Sequence, residues 1–375
     1  MLLRHGHDVE QVLFGNDHIA GLGSKITSAL SSFYSLPSYQ QTSKFIKRFK
    51  PDVLHVHNFV PTLSPSIFFA GRHAGVPVVH TLHNYRMICA TAMLLRDGVV
   101  CEECPKARSF LPGVRHACYR NSKLGSMIMG ANTSVHAALG TWQHRIDRYI
   151  ALTEFAADKL GEFRIPRDKI RIKPNFVPDL GTGEHRGEFA LFVGRLSEEK
   201  GIHTLLDADH RALLPLPLWI AGDGPLLPLV QQATNRPGSR IRILGKRSPQ
   251  EVNQLMKDAA VLVFPSIWYE GLPMVLIEAL SSGLPVLLSR VGGLPQIFDG
   301  RSSALLFEPG NVDSFLDGFA RFGNTPEAVT EMSMETRQMD ARRLYLEKFT
   351  EKQNYRILMG IYSELVRTPE SLGIA

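Results

Sequence analysis

The chain has 375 residues, of which 44% are hydrophobic and 21% charged, and a formal net charge of +6. That length exceeds what one core usually serves, so two domains are expected in an ordinary soluble protein. Met1-Leu-Leu-Arg-His-Gly-His-Asp8 carries charges where a secretory leader needs an apolar run, and the uncharged stretch 124–144 is too polar to span a membrane, which together predict a cytoplasmic protein.

The charge is unevenly spread. Residues 1–178 hold 22 Lys/Arg against 12 Asp/Glu, whereas the remainder is mildly acidic. Between Lys106 and Arg148 seven Lys/Arg face only Asp147. That stretch reads either as a solvated basic surface or as a face that meets anionic lipid or an anionic acceptor. Nucleic acid is not expected, because no nucleic-acid module accompanies the charge.

Taken in chain order, Leu2 to Asp8 resembles the end of a helix, and Val9 to Phe14 a strand. A doubly wound domain normally opens on a strand and a Gly-containing loop, so its first strand is expected to be missing. Strands follow at Val53–His57, Val76–His83, Tyr149–Leu152 and Ile170–Ile172, with a helix capped by Thr153 after the third. Residues 179–187, polar and rich in Gly, read as a linker. The cycle restarts with strands at Phe189–Val193, Leu218–Ala221, Ile241–Leu244, Val261–Phe264 and Pro285–Leu288, each trailed by a helical pattern. Alternating strands and helices imply parallel sheets covered on both faces. The expected fold is α/β, with two Rossmann-like domains facing a cleft: 1–178 (with a Cys-containing insertion near 86–122) and 188–340, followed by a helix at 341–366 crossing back to the first.

The most telling stretch is Glu270-Gly-Leu-Pro-Met-Val-Leu-Ile-Glu278. It leaves a buried strand and enters a helix, so one carboxylate sits in the loop and a second about a turn inside the helix, with bare backbone N–H groups between. A helix N-terminus suits a phosphate and carboxylates suit hydroxyls, which is the chemistry of a sugar joined to a phosphate. Gly194-Arg-Leu-Ser-Glu-Glu-Lys-Gly201 places a planar cation and a point cation on another strand-to-helix loop.

Together with Pro51-Asp-Val-Leu-His-Val-His57, Thr81-Leu-His83, Pro174-Asn175 and Gly222-Asp-Gly-Pro225, these motifs resemble the family 4 glycosyltransferases over nearly the whole chain. The resemblance implies a GT-B fold and a retaining enzyme of the hexosyltransferase type. It would move a sugar from a UDP- or GDP-linked donor to a glycan, lipid-linked or small-molecule acceptor in cell-surface polysaccharide or glycolipid synthesis. By the same resemblance, Arg195 and Lys200 hold the diphosphate beside Gly194, and Glu278 takes the ribose hydroxyls. Glu270 lies near the donor sugar, where the backbone of Gly271, Leu272, Pro273 and Met274 reaches sugar and phosphate. Gly245 and Lys246 sit near the base, and Gly222 at a tight turn. His83 lines the sugar site from the acceptor side, so His83, Glu270, Arg195 and Lys200 are the catalytic candidates, with His57 a weaker one. No cofactor is required for catalysis. Two rivals stand beside this reading: a catalytically impaired sugar-nucleotide-binding protein and a sugar-nucleotide epimerase.

Cys89, Cys101, Cys104 and Cys118 fall within thirty residues. They read as free buried thiols, a structural zinc site bracing the insertion, or a disulfide pair. Downstream, Leu124, Ile128, Ala131, Val135, Leu139 and Trp142 recur at helical spacing, a stripe that serves either a core or a peripheral contact with an anionic membrane at the inner face.

Overall fold

The computed structural model describes residues 1–13, 32–59, 63–183, 188–322 and 333–366. It divides into two units: Met1–Leu94, Glu102–Lys173 and Tyr355–Ala375 form the first, and Leu95–Cys101 with Pro174–Asn354 the second.

The first unit is built on four parallel strands, β1 (Leu54–His57), β2 (Val78–Leu82), β5 (Arg148–Ala151) and β6 (Ile170–Ile172), in the order β1-β2-β5-β6. A two-stranded antiparallel hairpin, β3 (Leu95–Arg96) with β4 (Val99–Val100), lies between the second and third in sequence. All five residues of β2 are buried, as expected for a strand covered on both faces. Leu358 and Ile361, on the helix Glu351–Ser363, close one face by packing with Val79 of β2 and Ile150 of β5. Just beyond that helix, Glu364 draws Arg148 and Arg171 together, at 2.8 and 2.9 Å.

The second unit carries six parallel strands. They are β7 (Ala190–Val193), β8 (Leu218–Ala221), β9 (Ile241–Gly245), β10 (Val261–Phe264), β11 (Val286–Ser289) and β12 (Ala304–Phe307), in the order β12-β11-β10-β7-β8-β9. Its core is aliphatic and aromatic: Leu218, Ile220, Val261, Leu287 and Phe315 are fully buried together. Each such side chain contributes roughly 1.5–3 kcal/mol relative to exposure, which fixes the sheet against its helices. Sequence order and space order part between β7 and β10, so the loops after these two strands meet at the C-terminal edge. Asp179, in the stretch expected to be a linker, is held by Arg342 through a pair of hydrogen bonds; residues 184–187 of that stretch lie outside the described ones.

Local signals and structure agree at several element ends. Thr153 caps the helix Glu154–Gly161 by accepting from the Ala156 amide, and Ser248 with Glu251 forms a capping box on the helix Pro249–Asp258. One expected strand does not form. Val9–Leu13 has no regular structure after the short 3-10 turn Leu2–His5, and Phe14 lies outside the described residues. Ala304–Phe307 is a strand that the sequence did not announce, because Ala-Leu-Leu-Phe is as compatible with a helix as with a strand until a neighbour pairs with it.

Candidate functional site

The site of the second unit starts from two loops that are stitched together by backbone. The Gly194 amide donates to Ala221, and the Leu196 amide to Asp223, binding the loop after β7 to the loop after β8. This close approach requires glycine. A Cβ on Gly222 would stand 1.9 Å from the Gly194 carbonyl oxygen. Gly201, at φ +68°, lies against the loop after β10, where a Cβ would meet the Pro265 carbonyl oxygen at 1.9 Å. Between Gly194 and Gly201 the chain makes one 3-10 turn, Glu198–Lys200, which carries the Lys200 ammonium to the foot of the loop after β10.

There Lys200 Nζ donates to Glu270 Oε1 at 2.6 Å. The same oxygen accepts from Ser266 Oγ at 2.8 Å and from the Trp268 indole N–H at 2.8 Å. Glu270 is only 7% exposed, and Lys200 also lies over the rings of Phe264 and Trp268 at 5.7 and 5.8 Å. A buried carboxylate is tolerated only when paired and hydrogen-bonded, and this one has three donors on one oxygen. The cluster therefore fixes both the lysine and the loop. Asn175 braces the next residues by donating to the Leu272 carbonyl oxygen at 3.0 Å.

The helix Met274–Ser281 begins directly after this loop, with Pro273 at its N-cap. Gly194, Arg195, Lys200, Glu270, Pro273, Met274 and Glu278 line one cavity of about 330 Å³, together with Phe192, Val193, Phe264, Pro265, Ser266 and Val275. Arg195 is exposed there. Burial raises the Glu278 carboxyl above its ordinary pKa. The wall thus carries two cations and a helix N-terminus on the anion-seeking side and Glu278 as a hydroxyl-seeking group, with apolar surface between.

Residues 2–179 match the profile of Glycosyltransferase Family 4, and residues 182–339 that of Glycosyl transferases group 1. The chain belongs to this glycosyltransferase family. A UDP-Gal:alpha-D-GlcNAc-diphosphoundecaprenol alpha-1,3-galactosyltransferase of Escherichia coli is 26% identical over 307 residues, 74% of this chain and 68% of that protein. An uncharacterized glycosyltransferase of Methanocaldococcus jannaschii is 31% identical over 181 residues, 42% of this chain and 46% of the relative. The chain thus spans about half to two thirds of these curated relatives. Among solved structures, Anabaena HepE in complex with UDP superposes with a TM-score of 0.64 at 17% identity, covering 87% of this chain and 82% of that one. Sucrose-phosphate synthase from Thermosynechococcus elongatus superposes at 0.63 and 18%, covering 89% and 78%. The fold is GT-B, an α/β architecture of two parallel-sheet units.

Of the remaining expected donor residues, Gly222 packs on the Gly194 backbone. Gly222, Gly271 and the buried Leu272 are not among the residues that line the cavity. Gly245 ends β9 at φ +71° with open space at its Cβ position, and Lys246 is exposed beside it. Ser266 and Trp268 were not foreseen. Their signal was proximity, four and two residues before Glu270 in a loop that must satisfy a buried carboxylate.

His83 follows β2 in the first unit, where its Nε2 meets His57 Nδ1 at 2.8 Å. The four cysteines are free thiols, and among the described residues no group of three or more His, Cys, Asp or Glu is arranged to hold a metal. The structure does not gather the set that a tetrahedral zinc needs. Cys104 is buried against Gly113, where an added Cβ would lie 3.3 Å from its sulfur. The apolar stripe is split as well. Trp142 is buried, whereas Leu124 and Leu139 are 61% and 67% exposed.

Proposed function

We propose that this chain is a retaining glycosyltransferase whose second unit binds a nucleotide-diphosphate sugar and whose first unit carries the acceptor. The observation that carries this reading is the single cavity that joins Arg195, Lys200, the N-terminus of the helix Met274–Ser281 and Glu278. Departure of a nucleoside diphosphate develops negative charge on the leaving oxygen, and two cations with a helix N-terminus lower the cost of that charge. Glu278 would accept from ribose hydroxyls, and Glu270 would keep Lys200 aimed.

For retention, the acceptor oxygen bonds to the anomeric carbon on the face from which the diphosphate leaves. The bond from anomeric carbon to phosphate oxygen breaks, and the acceptor's proton passes to that leaving oxygen. Glu270 then needs no nucleophilic role, and its Oε1 takes three donors that hold the loop. Arg195 and Lys200 supply the charge that a divalent cation would otherwise bring, so chelator is expected to leave the rate unchanged.

The donor is proposed to be UDP-linked, as the names of the Escherichia coli relative and of the Anabaena complex state for those proteins, with GDP as the alternative base. A lipid-linked acceptor fits the surface of the first unit. Leu111, Leu124, Met127, Val135 and Leu139 are exposed along and beside the helix Lys123–Ala138, flanked by exposed Arg115, Arg120 and Lys123. Apolar side chains bordered by cations suit an anionic bilayer surface on the cytoplasmic side. Among the described residues no helix is long and apolar enough to cross a membrane.

Calorimetry with UDP, GDP and their sugars, followed by transfer to a diphospholipid acceptor in anionic vesicles, tests the whole reading. Donor binding lost in both Arg195→Ala and Lys200→Ala is the expected result; unchanged affinity in both would remove the site. Binding with neither hydrolysis nor transfer would favour a non-catalytic nucleotide-sugar protein. Vesicle association that does not fall with salt would remove the membrane contact.

A further inference from the structure

Strand register places His57, the last residue of β1, opposite Thr81 of β2, and His83 stands two residues further along. The facing nitrogens, His57 Nδ1 and His83 Nε2, are 2.8 Å apart, with the rings nearly parallel at 29°. A hydrogen bond between two imidazoles needs one proton between them, neither none nor two. His55 stacks on His57 with ring centroids 4.4 Å apart. Both nitrogens of His55 are occupied, by the Tyr362 hydroxyl at 2.6 Å and Thr81 Oγ1 at 2.7 Å. Behind them His80 contacts the Val56 carbonyl oxygen through Nδ1 at 3.0 Å.

From the exposed end of β1, His57 turns its Nδ1 to His83 Nε2. Two proton arrangements remain. If His57 Nδ1–H donates, His83 accepts at Nε2 and carries its own proton on Nδ1, where it presents a donor. If His83 Nε2–H donates, its Nδ1 is bare and presents an acceptor. The tautomer of one ring therefore dictates the hydrogen-bonding sense of the other.

We propose that His57 is a positioning residue for His83: through their shared hydrogen bond it sets which nitrogen of His83 carries the proton, and so what His83 offers to the transfer reaction. The proposal rests on the reading of His83 as a residue of the acceptor side. His55 from β1, His80 from β2, Lys173 after β6 and Tyr362 from the C-terminal helix are the titratable groups around the pair. Burial first, and then the neighbouring His83 and Lys173, push His57 down to about 4. Burial and then Lys173 also lower His83. Both rings are thus neutral at pH 7, which is the state in which a tautomer carries information. A second added proton would set two N–H groups head to head across 2.8 Å, so the pair takes up one proton as a unit.

Histidine ring-nitrogen NMR of the full chain, with transfer kinetics over pH, tests this. Wild type is expected to show His83 in one tautomer. His57→Ala should mix the tautomers and alter the His83 titration. It should also lower kcat by about tenfold with donor KM unchanged, the signature of a lost orienting partner. His57→Asn, whose amide reaches the place of Nδ1, should restore the single tautomer and most of kcat. A His83 tautomer ratio and titration that are the same in wild type and His57→Ala would overturn the proposal. Full activity in His83→Ala would instead overturn the reading of His83, while the NMR comparison still decides whether His57 controls its tautomer.

Discussion

Both units end a parallel sheet in a cluster of titratable side chains, yet the two edges solve the burial of polarity in opposite ways. In the second unit Lys200 and Glu270 form an ion pair, and the carboxylate also accepts from Ser266 and the Trp268 indole. In the first unit His55, His57, His80 and His83 are held neutral, each lowered in pKa with burial the leading cause. The difference follows from the side chains. A lysine and a carboxylate can offset each other's desolvation, whereas the four imidazoles have one another and the Lys173 cation as charged or chargeable neighbours and no carboxylate among the causes that shift them, and they discharge instead. One edge carries an ion pair beside the exposed Arg195, and the other a set of neutral donors and acceptors.

The comparison breaks most directly at the ion pair. Lys200→Ala leaves Glu270 buried with its countercharge gone and should cost about 3–5 kcal/mol in chemical denaturation followed by the Trp219 and Trp268 signals. A loss below about 1 kcal/mol would show that the pair does not hold the edge together. Gly222→Ala is next. Its Cβ would stand 1.9 Å from a carbonyl oxygen, so the stitched loops must separate, at a cost of about 2–3 kcal/mol; a thermal midpoint equal to wild type would contradict that contact.

Acid should separate the two units. His57 and His80 titrate near 4 when folded, against 6.5 for the ordinary imidazole. The unfolded chain therefore binds more protons as pH falls from about 6.5 towards 4, and the first unit loses stability across that window. Glu278 works in the other direction, because burial raises its pKa and protonation relieves it. Hydrogen exchange at pH 5 should thus loosen β1 and β2 relative to pH 7 while leaving β7 and β10 protected; equal loosening in both sheets would erase the contrast. The smallest effect is expected for Glu278→Gln. It removes a charged acceptor without removing the hydrogen-bonding shape, and should weaken UDP binding by about tenfold in calorimetry, roughly 1.4 kcal/mol.

Much of this was legible in the residues. Leu218–Ala221 and Val261–Phe264 are strands with the bounds their apolar runs predicted, because a buried parallel strand reads as an uninterrupted apolar run. That Arg195, Lys200, Glu270 and Glu278 would line one cavity was legible too, since a strand-to-helix loop opens at the C-terminal edge of a parallel sheet. Among the described residues, Val9–Leu13 forms no strand and no zinc set is gathered, because alternation over a few residues and cysteine spacing are both satisfied by several structures. Ser266, Trp268 and the donor from Asn175 escaped notice, because none of them has a pattern of its own.

By itself the sequence determined most element types, the division into two units and a set of candidate residues at strand ends, since these follow from local periodicity and from the chemistry of strand-to-helix loops. Only the tertiary structure decided the partners. Lys200 and Glu270 are seventy residues apart in the chain and meet because β7 and β10 are neighbours in the sheet. His57 and His83 come within 2.8 Å because β1 pairs with β2 in one register. A shift of that register by one residue would turn the side chains to the opposite face and separate the two rings.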